Sequence, residues 1–100
     1  MTRKEVLDWL ATREPIPPAV LRVHLERFVD DGPEPMPQHL ARLGRVALER
    51  VMGRQEDGGR ELALDLLAAD AFVTYAFEAQ ALFDVAGLAR LSVHIAEGAW

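Results

Sequence analysis

Residues 62–83, LALDLLAADAFVTYAFEAQALF, run without a Gly, a Pro or any turn signal. Seventeen of the twenty-two side chains are apolar, with alanines set between Phe, Tyr and Leu. Such a run is too long for a strand. Asp65, Asp70 and Glu78 argue against a bilayer span, since a charged side chain near the centre costs about 2.5 to 3.5 kcal/mol on insertion scales. The segment reads as a helix buried over most of its circumference. A chain of 100 residues can scarcely surround such a helix alone. Self-association, a homodimer first, or a docked protein partner is therefore expected, with Leu64, Phe72, Tyr75, Phe77 and Leu82 as the contact residues.

Four shorter amphipathic segments flank it. Thr2 opens the first, with Glu5 three residues on to complete a capping box, and the Pro15–Pro18 cluster ends it. Pro18 suits the first position of a second helix, where a missing N–H costs nothing. Val20, Leu21, Leu25, Phe28 and Val29 line one side of that helix, and Arg22, Glu26 and Asp30 the other. After the proline-punctuated stretch from Asp31 to Pro37, a third helix is predicted over 37–52 with Leu40, Leu43, Ala47, Leu48 and Val51 inward. Gly44 lies in the middle of that face. A Gly in a helix interior costs about 0.8 to 1 kcal/mol against Ala, which points to a neighbouring backbone coming close. The Gly53–Gly59 stretch separates this helix from the long one over 60–83. Asp84 suits a cap for a fifth helix over 85–97, with Leu88, Leu91, Ser92 and Ile95 inward. The short break between the last two helices reads as a tight corner, with a single kinked helix as the alternative. The fold class expected is all-α: one domain over 1–100, a small bundle of about five helices around the long fourth one.

Leu40–Glu49 (LARLGRVALE) and Leu88–Glu97 (LARLSVHIAE) echo each other, with Gly44 and Ser92 at matching inner positions. The echo extends to one helix of each half only, so it reads as a shared amphipathic template rather than a duplication.

Composition excludes several function classes. Without Cys, there is no disulfide framework, no thiolate zinc site and no thiol nucleophile. The opening residues MTRKEVLDWL hold no apolar core of signal-peptide length, so a soluble, cytoplasmic protein is expected. Ten of the eleven basic residues are Arg in an Ala- and Leu-rich chain, a bias typical of a GC-rich bacterial genome. Residues 61–100 carry Arg90 alone against six acids. An acidic protein of this kind is a poor polyanion binder.

Candidate chemistry is sparse. Asp70, Thr74 and Glu78 recur every four residues and form the polar arc of the fourth helix, read as its water-facing edge. The alternative is a small-molecule or metal site between helices near Asp70 and Glu78. A di-iron carboxylate site needs a Glu with a His three residues on, and no such pair occurs. His24 borders the apolar face of the second helix, His39 is expected in solvent, and His94 is expected beside Glu97 on an outer face. Ser92 is the single serine, and no Gly-rich phosphate loop occurs. Asp65 falls in the early turns of its helix, where the helix dipole favours a carboxylate. Arg42, Arg45, Arg50, Arg54 and Arg60 suggest a second alternative, a regulator touching nucleic acid. A proline-rich linker between the second and third helices does not suit a helix-turn-helix, and nucleic acid is not expected as a partner. Trp100 is expected to fray or to fold its indole back onto apolar surface, with a terminal docking role as the alternative. The sequence thus predicts a non-enzymatic protein, without cofactor or catalytic residues, that self-associates or docks a partner through apolar surface around 62–83.

Overall fold

A computed structural model describes residues 1–53, 59–83 and 87–98. Among them the chain forms α1 (Arg3–Leu10), α2 (Ala19–Phe28), α3 (Met36–Gly53), α4 (Gly59–Phe83) and α5 (Leu88–Ala96), and no strand. The all-α bundle holds, and α4 is its longest element. Asp84, the expected cap of α5, and Trp100 lie outside the described residues, as does the join between α4 and α5.

Local chemistry sets the helix starts. Thr2 Oγ1 accepts from the Glu5 N–H at 3.1 Å, and the Glu5 carboxylate accepts from the Thr2 N–H at 3.0 Å, completing the capping box. Pro18 is the residue before α2 rather than its first member, a shift of one position. Its ψ of 147° is extended rather than helical, and its carbonyl accepts the first bond of the helix from the Arg22 N–H at 2.9 Å.

The bundle is organised by α3 packing along α4, the most extensive contact between elements. Both helices meet through small residues. Ala41 and Ala47 of α3 and Ala68, Ala76 and Ala79 of α4 have no exposed surface. A Cβ placed on Gly44 would stand 3.1 Å from Val73 Cγ2, and 3.4 Å from both Phe72 Cβ and the Ala69 carbonyl oxygen. The close approach expected at Gly44 is therefore made by α4. Leu40, Leu43, Val6 and Phe72 fill the space around this seam, each contributing about 1.5 to 3 kcal/mol by burial. Phe28 of α2 meets the Phe72 ring edge to face at 6.2 Å. From α5, Leu91 joins the core.

One chain covers one side of α4. Its buried residues are Asp65, Ala68, Ala69, Phe72, Ala76, Ala79 and Gln80, which fall within a single arc at 100° per residue. Leu66, Leu67 and Leu82 remain 54%, 51% and 61% exposed. Alanine bulk on the inner side explains this: it lets α3 approach closely and leaves the larger leucines outside.

Two expected inward residues are on the surface. Val20 of α2 and Ser92 of α5 are exposed. Gly44 is buried where Ser92 is open, so the echo between the two segments has no counterpart in packing.

Candidate functional site

The residues expected at a contact surface separate into three groups. Phe72 is a correction: it is fully buried, held among Phe28, Gly44 and the rest of the core, and offers a partner nothing. Leu64, Tyr75 and Phe77 are half-buried. Leu82 stands open, as do Leu66 and Leu67, which lie outside the polar arc expected to face water. By helical phase, Leu66 and Phe77 lie on one flank of the Asp70–Thr74 edge, and Leu67 and Leu82 on the other. Asp70 and Thr74 themselves are exposed, as expected.

Glu78 has a partner. Arg13, from the α1–α2 connection, donates to Glu78 Oε1 at 3.0 Å. The same guanidinium lies 4.1 Å from the centre of the Trp9 ring, and Trp9 meets Tyr75 edge to face at 6.3 Å. Burial pushes the Tyr75 phenol above its ordinary value, with the Glu78 charge adding to the shift and Arg13 opposing it. This chain of contacts braces one wall of a groove of about 270 Å³ between α1 and α2. Leu7, Leu10, Ile16, Pro17, Val23 and Leu25 make its surface apolar, and Arg22 and Glu26 place charges on it.

Two polar clusters lie deeper. In the first, His24 Nε2 of α2 and Asp65 Oδ1 of α4 are 2.6 Å apart, both side chains buried. Arg50 of α3 brings Nε within 3.6 Å of the second Asp65 oxygen and covers the Phe28 ring at 5.3 Å. The cluster joins three helices. A His on the border of an apolar face was legible in the sequence; its partner was not, because forty-one residues separate His24 from Asp65.

The second cluster corrects the placement of His39, which has no exposed surface. Its Nε2 lies 3.1 Å from Asp30 Oδ1, and its Nδ1 lies 3.6 Å from Glu34 Oε1. Arg42 donates to both Asp30 oxygens, at 2.9 and 2.8 Å, and also to Glu34. Burial and the Arg42 charge together hold the His39 imidazole below its ordinary value. The Arg42 hydrogen bond lowers Asp30. Desolvation opposes ionisation of Glu34, yet the bonds and charge from Arg42 leave it lowered too. The Met1 ammonium donates to the Gly32 carbonyl alongside. This knot fastens the proline-rich connection to α3.

The arginines of α3 are accordingly engaged within the chain. Arg42 is clamped, Arg45 pairs with Glu49 at 3.3 Å, and Arg50 faces Asp65; Arg54 lies outside the described residues. His94 lines a cleft with Gln38, Gln80 and Arg90. Among the described residues, no group of three or more His, Cys, Asp or Glu side chains is placed to hold a metal ion, and no helix is long and apolar enough to cross a membrane.

No protein-family model matches the chain, and neither a curated protein nor a solved structure is significantly similar to it.

Proposed function

We propose that this protein is a non-enzymatic helical module that assembles as a homodimer through the outer side of α4. The observation that supports this reading is the exposure of Leu66, Leu67 and Leu82 along one 25-residue helix, each more than half open. A helix of that length runs about 37 Å, and its exposed leucines flank the Asp70–Thr74 edge on both sides, so a second copy laid along that edge meets apolar surface on either flank. Covering each leucine contributes about 1.5 to 3 kcal/mol on full burial. A two-fold arrangement covers the same patch on both copies at once. The buried clusters favour a structural rather than a chemical role, because His24 and His39 are both turned into the protein, each against a carboxylate.

Light scattering coupled to size exclusion tests the proposal directly. From an 11.1 kDa chain, the expected mass at micromolar concentration is about twice that value, falling on dilution. A concentration-independent monomer would overturn the homodimer.

A further inference from the structure

The groove between α1 and α2 carries charges that the fold itself does not use. Arg13 is held by Glu78, so its charge is compensated. Arg22 and Glu26 are different: among the described residues neither side chain makes an ion pair or a hydrogen bond. They stand one helical turn apart on α2, where Cβ atoms are about 5 to 6 Å from each other. The basic residue precedes the acidic one, which is the weaker order for a direct i to i+4 pair. Both residues line the groove, one of each sign, together with the apolar side chains of α1 and α2.

We propose that this groove binds a free apolar α-amino acid, with its carboxylate on Arg22, its ammonium on Glu26 and its side chain against Leu10, Val23 and Tyr75. An α-amino acid carries its two opposite charges on one carbon, which matches two opposite charges set one helical turn apart. A fatty carboxylate leaves Glu26 facing its apolar stem, and an apolar amine leaves Arg22 in the same position. The groove of about 270 Å³ has room for a phenyl or branched aliphatic side chain. The walls are braced in advance. Pro17 is rigid, and Tyr75 is fixed by Trp9, itself covered by Arg13. Pre-set walls lower the ordering cost of binding. This site lies apart from the α4 leucines, so it stands or falls independently of dimerisation.

Three probes sharing one phenyl body separate the charges: L-phenylalanine, 3-phenylpropionate and 2-phenylethylamine. Titrations followed by heteronuclear NMR on the full chain should show saturable L-phenylalanine binding in the millimolar range, stronger than either single-charge probe. Arg22→Gln should weaken L-phenylalanine and 3-phenylpropionate about tenfold while sparing 2-phenylethylamine, and Glu26→Gln should weaken L-phenylalanine and 2-phenylethylamine about tenfold while sparing 3-phenylpropionate. Both positions are on the surface side of α2, and unchanged thermal unfolding of the variants confirms that folding is intact. Equal binding of all three probes, no saturable binding of L-phenylalanine, or loss in neither variant overturns the proposal.

Discussion

Asp65 has no exposed surface, whereas Asp70, five residues on along the same helix, faces water. The difference is helical phase and partners. Asp65 is directed at His24 and approached by Arg50, so its desolvation is offset by a short hydrogen bond and an adjacent cation. Leaving a buried polar partner unsatisfied costs about 1 to 3 kcal/mol, and Asp65→Ala is expected to lose at least that much in urea unfolding. Asp70→Asn should change stability by no more than about 0.5 kcal/mol. His39 gives a second test at this scale. Burial, with the Arg42 charge, lowers its folded pKa, so the folded imidazole takes up its proton only at lower pH than the unfolded one, whose value is near the ordinary 6.5. Below that pH the unfolded state binds more protons, and stability falls as pH falls. Asp30 and Glu34, whose folded values are also lowered, contribute stability that is fully present above their ordinary range and is lost at still lower pH. Unfolding free energy should therefore drop between pH 7.5 and 5.5, and His39→Gln should flatten that slope. An unchanged slope in the variant would place the titrating group elsewhere.

At the scale of elements, the α3–α4 seam sets the structure. Gly44 lies where Val73, Phe72 and the Ala69 carbonyl leave room for hydrogen but little for a side chain. Gly44→Leu should destabilise by about 1 to 3 kcal/mol through overpacking, even though leucine is the better helix former. A raised melting temperature would contradict the packing. The same seam explains what the hydrophobic pattern of α4 alone obscures. Alanine-rich arcs and leucine-rich arcs are equally apolar in a sequence count, but only the alanine arc lets two backbones come together. The large side chains then fall on the outside.

For the whole molecule, those outer leucines decide whether one chain is the stable unit. Paired Leu67→Glu and Leu82→Glu substitutions place charge on one flank of the α4 edge and should convert a dimer to a monomer without loss of helical signal in circular dichroism. Both positions are more than half exposed in the single chain, so the fold itself has little to lose. A dimer that survives the double substitution would move the interface to another face.

The sequence by itself determined the helical class, the length of α4, the capping box at Thr2 and Glu5 and the close approach at Gly44. Each of these follows from local rules: apolar periodicity, side-chain reach over three residues, or the missing Cβ of glycine. Helix starts at Pro18 and Met36 were legible to within a residue for the same reason. Only the tertiary structure decided which apolar arc of α4 is inside, that Phe72 belongs to the core and Leu66 and Leu67 to the surface, and that Ser92 is exposed. It also decided the fates of the ionisable groups. His24 meets Asp65 and His39 meets Asp30 and Glu34 across breaks in the helical pattern, and Arg22 and Glu26 acquire a shared groove only when α1 and Tyr75 close around them. A helical wheel orders the side chains of one helix. The direction in which that helix turns its wheel depends on which neighbour comes closest, and for α4 that neighbour is α3.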